Sequence, residues 1–132
     1  NIRDWLYVRD HCTAIWTVMK KGKTGETYNI GGDCEMENIA IVEIICDILD
    51  EKNRLSDNRT RRDLITFVDD RPGHDWRYAI DFTKLNRELD WSPEATLETG
   101  IRDTIQWYQN NRKWVDRVKS GEYQNWIKTH YK

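Results

Sequence analysis

Trp5-Leu6-Tyr7-Val8 and Thr27-Tyr28-Asn29-Ile30, with the stretch from Asp10 to Gly22 between them, decide the fold class of this chain. Both four-residue runs are bulky and favour extended backbone, so each reads as a strand. Asp10 is placed to act as an N-cap. Beyond it, from His11 to Lys21, the residues Ala14, Ile15, Val18 and Met19 recur at helical spacing. Lys20 and Lys21 suit the negative end of the helix dipole, and Gly22 ends the helix. Strand, helix and strand in that order form one βαβ crossover, which predicts parallel strands. The class is α/β.

Working outward, the chain becomes richer in helices. Asn38 is placed as an N-cap for a helix from Ile39 to about Glu51, whose apolar stripe is Ile41, Ile44, Ile45, Ile48 and Leu49. Lys52 to Asp63 is polar and reads as a surface loop, and Leu64 to Val68 reads as a third strand. Asp69-Asp70-Arg71-Pro72-Gly73-His74-Asp75 is a loop whose path Pro and Gly fix. Asp81 caps a short helix through Leu89, and Trp91-Ser92-Pro93 breaks the chain. Thr96 then caps a helix from Leu97 to about Asn111. A last helical segment, Trp114 to Tyr131, is interrupted near Gly121.

Composition bounds the function. The 132 residues carry 21 Lys and Arg against 23 Asp and Glu, a net charge of −2, with no long block of one sign. That excludes a polyanion-binding tail and argues against nucleic acid as the partner. Mean hydropathy is −0.89, and no apolar run approaches the length that spans a bilayer. No membrane partner is expected, and the location expected is the cytoplasm. Seven Trp and six Tyr supply bulk for a core despite this polarity. Cys12, Cys34 and Cys46 form no C-x-x-C pair, so they read as three reduced thiols rather than as a metal or redox motif.

Two stretches have candidate chemistry. Arg3 and Asp4 precede the first strand, where a surface ion pair is the simplest account. The loop from Asp69 to Tyr78 gathers Arg71, His74 and Arg77 around a Pro-Gly turn. A guanidinium fork matches phosphate oxygens two at a time, so this loop suits an anionic ligand, although a merely solvated loop fits the composition equally well. His74 has no Ser, Cys or Tyr partner at local spacing, which favours a ligand contact or a structural role over catalysis. Asn38 heads a helix whose N-terminal amides could receive an anion. His11 and His130 read as surface or capping residues, and Trp107 and Tyr108 as core.

Absences are informative too. The sequence has no G-x-x-G-x-x-G turn, no Tyr-x-x-x-Lys pair, no P-loop and no H-E-x-x-H helix. No catalytic residue and no cofactor-binding or metal-binding residue is assigned within it.

The residues from Asn1 to His11, Gly25 to Gly32, Asp70 to Asp75 and Arg77 to Asp81 closely resemble the C-terminal part of the dTDP-glucose 4,6-dehydratases. Trp114-Val115 and Lys119 to Ile127 extend the resemblance to the end. It implies a helix-rich substrate-binding portion, with a few short strands, of a Rossmann-type extended short-chain dehydrogenase. Residues 1–132 would form its C-terminal nucleotide-sugar-binding domain. An N-terminal domain outside this sequence would hold NAD and the acid and base residues. In such enzymes NAD oxidises the sugar at C4, water leaves across C5–C6 and the hydride returns to C6. By position, Arg3, Asn38, Arg71 and His74 match the residues that grip the nucleotide and its diphosphate. A homodimer is implied for the parent, and no dehydratase activity for the chain alone. Arg9 and Trp76 depart from the family pattern at positions not expected to touch ligand. The alternatives are a fragment of a UDP-sugar epimerase or decarboxylase of the same superfamily, disfavoured by the Asp70 to Asp75 loop, and a stand-alone helical binding module.

Overall fold

The computed structural model describes residues 1–70 and 72–121. Two compact units divide the chain, Asn1–Ile101 and Arg102–Lys132. The first holds strands β1 (Ile2–Asp4) and β2 (Glu35–Glu37), helices α1 (Val8–Lys21), α2 (Asn38–Lys52) and α3 (Thr83–Leu89), and a 3₁₀ turn at Arg61–Leu64. Helix α4 (Leu97–Asn110) runs across the boundary, and α5 (Arg112–Ser120) belongs to the second unit. Helix predominates.

The strands differ from those expected. β1 and β2 pair antiparallel, with Ile2 opposite Glu37, Arg3 opposite Met36 and Asp4 opposite Glu35. Neither Trp5–Val8 nor Thr27–Ile30 is a strand, so no parallel βαβ pair forms among the described residues. Trp5 is held instead by its backbone N–H to Cys34 O at 2.9 Å and by its indole N–H to Met36 O at 3.2 Å. Those bonds turn the chain straight into α1. At Thr27-Tyr28 the backbone and ring are occupied from α3: Lys84 Nζ donates to Thr27 O at 2.9 Å, and the Tyr28 hydroxyl donates to Glu88 at 3.2 Å. Leu64–Val68 is likewise no strand. Thr60 and Asp63 close a capping box there and start the 3₁₀ turn.

Helix starts shift as well. Tyr7 is the N-cap residue of α1, and Asp10 lies inside its first turn, buried, accepting the Ala95 N–H at 3.0 Å. Its charge still faces the positive end of the helix. Glu37, not Asn38, is the N-cap residue of α2, and the Asn38 N–H donates to Asn1 O at 2.9 Å. The expected Thr96 cap is present, accepting the Thr99 N–H at 3.2 Å.

The core of the first unit joins Ala14 of α1 to Leu85 and Leu89 of α3 and to Trp91, with Leu6, Val18, Tyr28, Ile30 and Phe82 packed around them. Phe82 meets Trp91 edge to face, ring centres 5.8 Å apart. The Trp91 indole N–H donates to Thr13 at 3.0 Å, so its one polar atom is satisfied. The 3₁₀ turn is fastened to α2 by Arg61 on Asp50 and by Arg62 on Asp47 and Glu43. In the second unit Trp107 and Tyr108 are not core. They are 45% and 50% exposed, and both rings meet Trp114 edge to face. No helix of the described residues is long and apolar enough to cross a membrane.

Candidate functional site

Asp4 builds the platform on which the site rests. Rather than pairing with Arg3, its carboxylate accepts the Gly32 N–H at 2.9 Å and the Cys34 N–H at 3.0 Å. These bonds fold Gly31-Gly32 against β1 so closely that a Cβ on Gly32 would lie 2.1 Å from Trp5 O. Only glycine permits that approach. The expected Arg3–Asp4 ion pair is thus absent, because Asp4 is committed to backbone amides and Arg3 points elsewhere. Burial raises the Cys34 thiol above its ordinary pKa, with Asp4 and Asp33 adding to the effect.

Arg3 reaches the loop after Pro72. Its Nη2 lies 2.7 Å from His74 Nε2 and donates to Asp75 O at 3.0 Å, while Nη1 donates to Ile2 O at 2.7 Å. The guanidinium lies over the Tyr78 ring, 4.2 Å from its centre. A guanidinium has no acceptor, so the His74 Nε2 facing it carries a lone pair and the ring proton sits on Nδ1. That nitrogen donates to Asp70 Oδ1 at 2.7 Å, and the Asn1 side-chain N–H beside it donates to Asp70 Oδ2 at 3.3 Å. Both ring nitrogens are therefore engaged. This geometry suits binding and orientation, and leaves no ring nitrogen free for proton transfer.

Backbone contacts draw the loop in beside the sheet. The Ile2 N–H donates to Trp76 O at 2.9 Å, and Ile2 forms a single parallel bridge with Arg77. Asn1 also joins His74 to the head of α2, since Asn1 O accepts the Asn38 N–H. Asn38 Oδ1 is buried and has no hydrogen-bond partner among the described residues. Arg3, His74 and Asn38 therefore gather around Asn1. Arg71, the fourth residue expected here, lies outside the described residues, as do His130 and the expected helical residues 122–131.

Arg3 makes no ion pair with a carboxylate among the described residues; its partners are an imidazole, two carbonyls and a ring. Arg77, by contrast, is paired with Glu35, which raises its pKa. The positive charge of Arg3 is thus held in place without being cancelled, which suits an anion. No cluster of metal-ligating side chains occurs among the described residues. The sequence reading missed Asn1 and Tyr78 as partners here. The four-residue spacing of Asp70 and His74 was the one local signal of their pairing.

Known proteins resemble the chain along almost its whole length. It is 56% identical over 131 residues to dTDP-glucose 4,6-dehydratase 1 of Escherichia coli (strain K12), a match covering 99% of this chain and 36% of that protein. The matched part is the relative's C-terminal third, so the chain spans about a third of the length of such proteins. The crystal structure of dTDP-glucose 4,6-dehydratase from Bacillus anthracis str. Ames, in complex with NAD, superposes with a TM-score of 0.73 at 46% identity. That match covers 86% of this chain and 33% of that one. DesIV of Streptomyces venezuelae, a dTDP-glucose 4,6-dehydratase described with NAD and TYD bound, gives 0.75 at 36% identity over the same shares. The helix-rich architecture is thus that of the C-terminal part of Rossmann-type extended short-chain dehydrogenases. With residues 1–104 also matching the model of the GDP-mannose 4,6 dehydratase family, the chain belongs to that family.

Proposed function

We propose that residues 1–132 form the C-terminal nucleotide-sugar-binding domain of a dTDP-glucose 4,6-dehydratase, a lyase that converts dTDP-glucose to dTDP-4-keto-6-deoxyglucose and water. The observation that carries this reading is the Arg3 guanidinium. It is oriented by His74, the Asp75 carbonyl and the Tyr78 ring, and no carboxylate among the described residues cancels its charge. Such a group can meet a diphosphate with little reorganisation. His74 orients Arg3 on this account, and Asn38 offers a buried amide oxygen and the start of α2 behind it.

NAD supplies the hydride chemistry in this proposal. This chain holds no glycine-rich dinucleotide turn to receive it, so the cofactor is assigned to the part of the enzyme beyond the matched third. A homodimeric, cytoplasmic parent completes the proposal. No catalytic residue is assigned within residues 1–132, and the chain alone is expected to leave dTDP-glucose unconverted.

Arg71 is proposed as the main diphosphate anchor, on the sequence argument that Asp70, Pro72 and Gly73 set a tight turn around it. Arg71→Lys in the full-length enzyme is expected to weaken dTDP-glucose binding by about tenfold or more, measured by calorimetry at fixed salt. A change within about twofold removes Arg71 from the role. The activity itself is tested by incubating the full-length enzyme with NAD and dTDP-glucose and detecting loss of water by mass spectrometry. Unchanged substrate overturns the reading.

A further inference from the structure

A second arginine ties the loop after Pro72 to the sheet. Arg77 Nη2 donates to Glu35 Oε1 at 2.7 Å and its Nε donates to Oε2, a two-point fork. Arg77 sits beside Ile2 through the parallel bridge, and Glu35 sits opposite Asp4 on the far side of β1. The Arg77 side chain therefore crosses β1. Paired residues share a face and neighbours along a strand alternate, so Arg77, Ile2, Asp4 and Glu35 take one face and Arg3 takes the other. Tyr78, next to Arg77, lies under Arg3 in keeping with that alternation.

The Arg77 and Glu35 side chains are 55% and 34% exposed, and a pair so placed adds little to overall stability. Its consequence is local. The described residues from 65 to 80 form no helix and no strand beyond the one bridge. Where His74 stands against Arg3 depends on how the segment is held at Asp75, Trp76, Arg77 and Tyr78. Three of those ties are backbone or ring contacts to β1; the Arg77 fork alone reaches β2.

We infer that Glu35 and Arg77 are positioning residues for the anion site, holding residues 72–78 from the opposite face of the sheet so that His74 meets Arg3. The inference rests on the nucleotide-sugar reading for its kinetic consequence, though not for its geometric one. Glu35 and Arg77 act through the loop and do not touch the ligand.

Two measurements keep the inference and that reading apart. The first is hydrogen exchange at the Ile2 amide, which donates to Trp76 O, in this chain without ligand. Glu35→Gln and Arg77→Gln are each expected to speed exchange by about tenfold. Combining Glu35→Arg with Arg77→Glu restores it to within about threefold, since the exchanged charges can pair again. The second is steady-state kinetics of the full-length enzyme with dTDP-glucose. There the single variants raise KM by about three- to tenfold with kcat within about twofold, and the exchanged pair recovers KM. Unchanged exchange in both single variants, an exchanged pair that recovers nothing, or faster exchange with an unchanged KM overturns the inference. Faster exchange restored by the exchanged pair, in an enzyme whose wild type leaves dTDP-glucose unconverted, upholds the positioning pair and defeats the nucleotide-sugar reading instead.

Discussion

Arg3 and His74 stand 71 positions apart in the chain, yet Arg3 Nη2 and His74 Nε2 meet at 2.7 Å. Each fixes the other. The guanidinium selects the ring tautomer, and the ring fills one donor direction of the guanidinium that would otherwise turn to water. Between them they join β1 to a loop that has almost no regular structure of its own.

Replacing Arg3 by Lys keeps the charge but loses the fork that serves His74 and the Asp75 carbonyl together. Affinity of the full-length enzyme for dTDP is expected to fall by about tenfold, the scale of one charge-assisted hydrogen bond. Calorimetry of Arg3→Lys against wild type at one salt concentration decides it. Equal affinities would return Arg3 to the status of a surface cation.

Gly32→Ala is expected to be among the most damaging single-methyl changes in the first unit. The new Cβ would fall 2.1 Å from Trp5 O, a backbone atom that cannot swing aside. Overpacking of this kind costs about 1–3 kcal/mol. Urea unfolding of wild type and variant measures the loss, and a difference under about 0.5 kcal/mol contradicts the close approach.

Acidification is expected to release the 3₁₀ turn from α2. The Arg61 backbone N–H, helped by its guanidinium, holds the Asp50 carboxyl below its ordinary pKa, and the Arg62 side chain does the same for Asp47. A carboxyl whose folded value is depressed adds stability that is complete above its unfolded value, about 3.9, and lost as pH falls through the lower folded value. The melting temperature of wild type should therefore exceed that of Asp50→Asn at neutral pH, and the gap should close below about pH 4. A gap that persists at the acid end refutes the assignment.

Thiol reactivity should rank the three cysteines. Cys12 is exposed, whereas Cys34 and Cys46 are half-buried with burial and neighbouring carboxylates raising their thiols. The thiolate is the reactive form. Iodoacetamide labelling at about pH 8, near the ordinary thiol pKa, followed by peptide mass spectrometry should find Cys12 modified first. Faster labelling of Cys34 would mean that the Gly31-Gly32 turn opens readily.

Local signals were legible where a local force decides the outcome. The apolar stripe of α2, the stop of α3 at Leu89 and the Thr96 cap follow from periodicity and hydrogen bonds between near neighbours. The strands were misread for the opposite reason. Bulky residues at Trp5–Val8 favour extended backbone, but pairing at Ile2–Asp4 is fixed by the Asp4 carboxylate 28 and 30 positions from the amides it holds. The candidate site divides in the same way. Motifs pointed to Arg3, Asn38 and His74 individually, whereas Asn1 and Tyr78 enter only because folding carries the loop to β1.

Two long-range bonds of the first unit bear on how the chain acquires its structure during translation. Asp10 in α1 finds its partner at Ala95, 85 positions later, and Thr13 waits for the Trp91 indole, 78 positions later. At about 5–20 residues per second, a ribosome would take roughly 4–17 s to add the chain between Asp10 and Ala95. Through that interval a nascent α1 must keep its Asp10 edge hydrated and its Ala14 face unsheltered. Arg9 and Asp10 in the first turn and Lys20 and Lys21 in the last give that waiting helix charged ends that stay hydrated until Trp91 and Ala95 arrive.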